Sequence, residues 1–220
     1  SLGHREGVQA LRRTIKAASE MNIRCLTVFG FSTENWSRPA DEVSDLMGLV
    51  RAFIGSDLKR LEQEGVQVRI LGRRAGLPKD IVEIVERAER LTAHNDKFIL
   101  QVAFNYGGRA DLVDAAQALV ERAAKNGSFE VTEELFGQTL STSGAPPVDL
   151  IIRTSGEQRL SNFLLWECAY AELVFQKVLW PDYGHEALID AIGQYGCRDR
   201  RFGGREVVEG PGAGTVEAAS

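Results

Sequence analysis

The order of apolar and polar positions along the chain predicts alternating helices and strands. Val8, Leu11, Ile15 and Ala18 share one face of a 3.6-residue period, which predicts an amphipathic helix over residues 5–20. Residues 23–31 (IRCLTVFGF) form an apolar, β-rich run of strand length, followed by a polar stretch over 32–38 that Pro39 closes. Val43, Leu46, Met47, Val50, Ile54, Leu58 and Leu61 make a long helical stripe that Gly65 ends. Residues 66–71 (VQVRIL) alternate as a strand does, and Pro78 is placed to open a helix carrying Ile81, Ile84, Val85, Ala88 and Leu91. A strand over 98–104 (FILQVAF), a turn at 105–108 and a helix through Leu112, Ala116, Leu119 and Ala123 follow. The pattern then predicts a short helix over 133–140, strands over 148–153 and 173–175, and a final helix over 185–195. Beyond residue 205 the Gly-, Glu- and Ala-rich sequence has no period and reads as a disordered tail over 205–220.

Helices alternating with apolar strands define an α/β class with an open, mostly parallel sheet flanked by helices. No internal repeat or linker divides the pattern, so residues 1–204 are read as one domain. At 220 residues with 44% hydrophobic and 26% charged positions, the composition is that of an ordinary globular chain. A net charge of -5 argues against nucleic-acid binding over a basic surface, though it permits a local cationic pocket. No apolar run reaches the ~18 residues that a membrane span needs. Three scattered cysteines (Cys25, Cys168, Cys197) without a leader segment fit a reducing, cytoplasmic setting.

In open parallel sheets, ligands bind beyond the carboxyl ends of the strands. That rule selects three loops: 32–38, 105–109 and 153–162. The first concentrates Ser32, Thr33, Glu34, Asn35, Trp36 and Arg38 within seven residues. It is either a ligand-binding loop or a helix cap on the surface. In the third, Arg153 leaves an apolar strand, and Arg159 and Ser161 follow. Two guanidinium forks with hydroxyls and backbone N–H groups suit a phosphate or diphosphate, or each Arg pairs with a local acid such as Glu157. Glu172, set among apolar residues in AYAELVF, needs either a cationic partner or a metal. Phosphate-loop, dinucleotide-binding, aspartate-rich and nucleophile-elbow signatures are absent from the sequence. Asp111 and Asp114 imitate an aspartate-rich motif only thinly, on an amphipathic helix.

Six blocks then carry a resemblance. They are GHREG at 3–7, FGFSTENWSRPADEV at 29–43, NYGGR at 105–109, VDLIIRTSGEQRLSNFLLWECAYAEL at 148–173, VLWPD at 178–182 and RRFGG at 200–204. In order and spacing the chain resembles the cis-prenyltransferases, the undecaprenyl or polyprenyl diphosphate synthase family. The resemblance implies an undecaprenyl diphosphate synthase-like sheet, an apolar sleeve for the product, Mg2+ as cofactor and a homodimer. Its implied reaction condenses isopentenyl diphosphate onto an allylic, farnesyl-type diphosphate, with product passed to a membrane that the protein contacts peripherally. The alternative is a non-catalytic partner subunit of the same family.

The resemblance also implies roles. Asn35 corresponds to the catalytic residue usually named proton acceptor, although a neutral amide is a very weak base and is better suited to orienting a diphosphate. His4, Ser32, Thr33, Glu34, Trp36 and Arg38 correspond to substrate-binding positions. Arg153, Arg159, Leu160 and Ser161 correspond to the isopentenyl diphosphate site, and Glu172 to a Mg2+ ligand. Arg201 and Gly203 correspond to an element that reaches the partner's site. Family members open with a strand ending in an Asp-bearing MDGNGRWA-like stretch that precedes the matched blocks. The resemblance therefore places the principal Asp and a first strand upstream of Ser1.

Overall fold

The computed structural model describes the backbone over residues 2–197 and side chains from residue 5. Helix α1 (Leu2–Glu20) leads into β1 (Cys25–Ser32). A single 3-10 turn (Thr33–Ser37) and Pro39 precede α2 (Ala40–Gln63). Then come β2 (Val66–Leu71), α3 (Lys79–Thr92), β3 (Phe98–Tyr106) and α4 (Gly108–Asn126). The short α5 (Glu133–Gly137), β4 (Leu150–Arg153), β5 (Glu172–Phe175) and α6 (His185–Gly196) complete the order. The expectations for residues 198–220, among them Arg201, Gly203 and the tail, lie outside the described residues.

Every strand pairing is parallel, as the alternating pattern predicts. The strands form two hydrogen-bonded groups, β1-β3-β2 and β4-β5, where the pattern led us to expect one sheet. Aromatic packing joins the groups. Phe29 of β1 stacks on Phe163 with centroids 4.7 Å apart, and the edge of Tyr106 meets both rings. Leu71, Ala103, Ile151 and Leu164 pack with them into one apolar cluster.

The main core lies on the other face of the three-stranded group. Val66, Val68 and Ile70 of β2 and Phe98, Leu100 and Phe104 of β3 meet Phe53, Ile54, Leu58 and Leu61 of α2 there. Ile81, Val85 and Ala88 of α3 join them, and Ile81 and Val85 are completely buried. Each such aliphatic side chain contributes about 1.5–3 kcal/mol of burial. The apolar stripes of α2, α3 and β3 therefore serve largely as core, while Val43, Leu46 and Val50 at the start of α2 stay partly open.

Helix α1 is fastened at both flanks. The Trp180 indole donates to Gly7 O (3.1 Å), and Arg13 donates to Pro181 O (2.6 Å) and Tyr183 O (3.2 Å). On the α2 side, Arg12 forks onto Asp57 through Nε (3.0 Å) and Nη2 (2.6 Å). Arg60 Nη2 (2.7 Å) and Ser56 Oγ (2.7 Å) fill the remaining valences of the same carboxylate. Burial alone would push the Asp57 carboxyl up, but the bonds from Arg12, Ser56 and Arg60 outweigh it and hold it below the usual carboxylate range.

Candidate active site

Register brings two of the three selected loops together. Ser32 at the end of β1 lies opposite Tyr106 at the end of β3, so the Thr33 turn and Gly107 leave the sheet side by side. The sequence pattern read 32–38 as an irregular loop, but it winds into a 3-10 turn because Asn35 Oδ1 reaches back to accept from Ser32 N (2.9 Å). The oxygen that would serve as a proton acceptor is thus already engaged in holding the turn. Ser37 Oγ donates to Glu34 O (2.8 Å) and closes its other end.

Trp36 sits over Phe31 edge-to-face (5.1 Å, 81°), and its indole N–H donates to Asn105 Oδ1 (2.8 Å). Trp36 keeps 39% of its surface open, more than a core tryptophan would. Asn105 is itself buried, with φ at 51°, a left-handed conformation that Asn tolerates better than other residues with side chains. Its amide donates to Arg73 O (2.8 Å) and Ala75 O (3.0 Å), which ties the turn to the loop between β2 and α3.

The third loop joins through one residue. Asn162 donates to Glu34 Oε1 (2.8 Å), its Oδ1 accepts from Arg109 N (2.8 Å), and its own carbonyl accepts from Gly108 N (2.7 Å). The first N–H groups of α4 are therefore satisfied by Asn162 and are not left facing outward for a phosphate. Burial raises the Glu34 carboxyl, but the bonds from Asn162, its own backbone, Ser32 and Thr33 prevail and keep it below its ordinary value. The packing explains the glycine pair of the NYGGR block. A Cβ on Gly107 would stand 2.7 Å from Thr33 Oγ1 and 2.8 Å from Asn162 Nδ2, and one on Gly108 would stand 2.7 Å from Leu165 Cγ.

The cations around this cluster are held loosely. Arg38 pairs with Glu42 (2.6 Å) on an exposed helix face, and Arg159 pairs with Glu157 in the open. Such pairs contribute only ~0–1 kcal/mol, so an anionic ligand can displace them. Arg153 ends β4, and among the described residues its side chain makes no hydrogen bond or ion pair. Ser161 is exposed with φ at 51°, and Leu160 packs against the aromatic cluster.

Glu172 is placed differently. It opens β5 in register with Leu150, whereas Arg153 closes β4, three residue steps or about 10 Å along the strand. Among the described residues no group of three His, Cys, Asp or Glu side chains is arranged to hold a metal. The donor chemistry of Glu172 fits Mg2+ only in the mode where one carboxylate is completed by substrate phosphates and water, and it does not form a protein cage. His4 lies in α1 with its side chain outside the described residues. Asp111 and Asp114 are accounted for structurally. Asp111 accepts from Ser141 N (3.1 Å) and Oγ (2.9 Å), and Asp114 takes a two-pronged contact from Arg73 (2.6 and 2.7 Å).

Asn105 and Asn162 were passed over as individual residues by sequence reasoning, although both stand in loops that the strand-end rule selects. Their role depends on partners 69 and 128 residues away in the chain. The available signal was the residue type, since an Asn after a strand or after Ser161 can enter the left-handed region at small cost.

The whole matched pattern has known counterparts. Residues 1–203 match the family model described as "Putative undecaprenyl diphosphate synthase". An isoprenyl transferase of Caulobacter vibrioides is 63% identical over 205 residues, covering 92% of this chain and 79% of that protein. An isoprenyl transferase of Bacillus subtilis is 46% identical, covering 92% of this chain and 78% of its own length. The crystal structure of lavandulyl diphosphate synthase from Lavandula x intermedia, solved with dimethylallyl diphosphate, superposes with a TM-score of 0.87 at 36% identity and covers 91% of this chain and 87% of that one. A "probable undecaprenyl diphosphate synthase" from Campylobacter jejuni gives a TM-score of 0.80 at 32% identity, with 90% and 92% covered. The chain belongs to the cis-prenyltransferase family, the isoprenyl transferases of undecaprenyl diphosphate synthase type.

Proposed function

We propose that this protein elongates a prenyl chain in the cis configuration, joining isopentenyl diphosphate to an allylic diphosphate. The observation that carries the reading is the convergence of the 32–38, 105–109 and 153–162 loops at the carboxyl ends of the strands, with arginines held only by displaceable partners. In this reaction the C1–O bond of the allylic substrate breaks and diphosphate leaves with the electron pair. The alkene of isopentenyl diphosphate supplies the electrons for the new C–C bond, and its C2 proton departs to a diphosphate oxygen. Negative charge on the leaving group is the main electrostatic load, so cationic groups account for most of the stabilisation.

Arg153, Arg159 and Ser161 bind the isopentenyl diphosphate, with Leu160 packing below them. Ser32, Thr33, Glu34, Trp36 and Arg38 form the wall of the substrate loop, with His4 beside the phosphates. Asn35, whose Oδ1 is engaged with Ser32, orients a diphosphate oxygen through its amide N–H group. Mg2+, held through Glu172 and the substrate phosphates, would neutralise leaving-group charge. The protein acts as a homodimer in which Arg201 and Gly203 serve the partner's site, and its product passes to a membrane.

Incubation of the full-length protein with labelled isopentenyl diphosphate, farnesyl diphosphate and Mg2+ tests the reading. A labelled, solvent-extractable polyprenyl product is expected. Failure with every allylic primer would overturn it, and product only on addition of a second protein would favour the partner-subunit reading. For the dimer, Arg201→Ala and Glu172→Gln variants, each inactive alone, should regain activity when mixed and allowed to exchange subunits. No recovery despite exchange would remove the cross-subunit role.

A further inference from the structure

We propose that Asn105 and Asn162 are positioning residues that clamp the Thr33–Ser37 turn from two sides, Asn105 through the Trp36 indole and Asn162 through the Glu34 carboxylate. The proposal deepens the prenyl-transfer reading and rests on it for the turn's role in binding substrate.

The turn has little else to hold it. It is five residues long, none of them buried, and beyond the contact of Trp36 with Phe31 its residues pack on little. A 3-10 segment of this length has poor hydrogen-bond geometry and does not persist alone. Among the described residues its long-range polar contacts are to the two amides: Trp36 Nε1 to Asn105 Oδ1 (2.8 Å) and Asn162 Nδ2 to Glu34 Oε1 (2.8 Å). Both asparagines are anchored by further bonds on the side away from the turn. Asn105 is fixed to the carbonyls of Arg73 and Ala75, and Asn162 is fixed to the first two N–H groups of α4. Asn105 therefore ties the turn to the loop between β2 and α3, and Asn162 ties it to the start of α4. An amide suits this work because it accepts on one end and donates on the other without carrying charge. Both residues stand at positive φ (51° and 63°), so the backbone places these short side chains in a direction that a β-branched residue could not supply. Gly107 completes the clamp by leaving room for Thr33 and Asn162 to approach.

Charge exchange across the Asn162–Glu34 contact tests the clamp. Asn162→Asp keeps the acceptor for Arg109 N and tolerates the left-handed backbone, but it opposes one carboxylate to another. Its kcat/KM should fall about tenfold or more with the thermal midpoint little changed. Adding Glu34→Gln rebuilds the amide–carboxylate bond in reverse, and the double variant should return to within about threefold of Glu34→Gln alone. Asn105→Gly tolerates the left-handed backbone and removes the acceptor, so it should speed solvent exchange of the Trp36 indole proton, read from its 1H–15N resonance and assigned by its loss in Trp36→Phe. A purely scaffolding role would lower stability and leave that resonance in place. Asn162→Asp with unchanged kcat/KM, a double variant no better than Asn162→Asp, or an unmoved indole signal in folded Asn105→Gly would each overturn the proposal. If the wild-type protein makes no polyprenyl product, the function reading fails, and the exchange measurement still decides the clamp.

Discussion

At the junction of α1 and α2, ionic groups are spent on one another. Asp57 is 4% exposed, and both its oxygens are occupied by Arg12, Arg60 and Ser56. At the carboxyl ends of the strands the arrangement is reversed. There neutral amides do the holding, the guanidinium groups of Arg38 and Arg159 are paired on the surface, and that of Arg153 has no side-chain partner among the described residues. A closed charge network has nothing left to offer a ligand. An open one keeps its cations available, and it can do so only if something uncharged sets the geometry.

The largest test of this contrast is at Asp57. Asp57→Ala leaves Arg12 without its buried partner and should cost about 3 kcal/mol of stability, since breaking a buried pair from one side is strongly destabilising and Arg12 is partly solvated. Denaturant unfolding measures the loss, and turnover per folded molecule should change little. A fully folded variant that has lost its activity would break the comparison. The folded Asp57 carboxyl is depressed, so its contribution is present above the ordinary carboxylate value of 3.8 and disappears as pH falls through the lower folded value. Asp57→Asn should lack that acid-dependent component.

Next in size, Arg153→Ala should weaken isopentenyl diphosphate by about ten- to a hundredfold, because a charge-assisted contact is worth roughly 1.5–3 kcal/mol. The allylic substrate should lose less, as measured by separate KM or Kd determinations, and equal losses would count against the assignment. Arg153→Lys should also be impaired, since the planar fork is lost. Gly107→Ala sharpens the contrast from the amide side. Its Cβ must displace Thr33 or Asn162, an overpacking cost of about 1–3 kcal/mol. We expect kcat/KM to fall further than stability does, as compared by kinetics and thermal unfolding. The smallest effect belongs to Glu157→Gln, which releases Arg159 from an exposed pair and should alter stability by less than about 1 kcal/mol.

Much of this architecture is legible from the chain itself, for reasons that differ by element. Strand β2 coincides with its expected 66–71 span because the alternation from Val66 to Ile70 is bracketed by Gly65 and Gly72. Strand β3 and helix α4 run longer than their apolar runs, to Tyr106 and from Gly108, because tertiary contacts to Asn162 and Thr33 shape the polar NYGGR segment between them. The 3-10 turn escapes a periodicity search, since a side-chain bond from Asn35 back to Ser32, within four polar residues, holds it. The separation into two hydrogen-bonded strand groups is invisible to any local pattern, being a statement about partners. At the candidate site the strand-end rule picks out all three loops, and resemblance supplies the expected roles. The two asparagines that connect the loops become apparent only when residues 34, 36, 105 and 162 are seen together.

The uncharged character of the Asn105–Trp36 bond has a consequence for ionic strength. Added salt screens the attraction between guanidinium groups and diphosphate over a Debye length of about 8–10 Å, but it scarcely touches a short bond between two neutral dipoles. Substrate capture should therefore weaken steadily as salt rises while the seat of the indole stays where it was. An enzyme built this way loses grip at high ionic strength without losing shape, and dilution restores it at once.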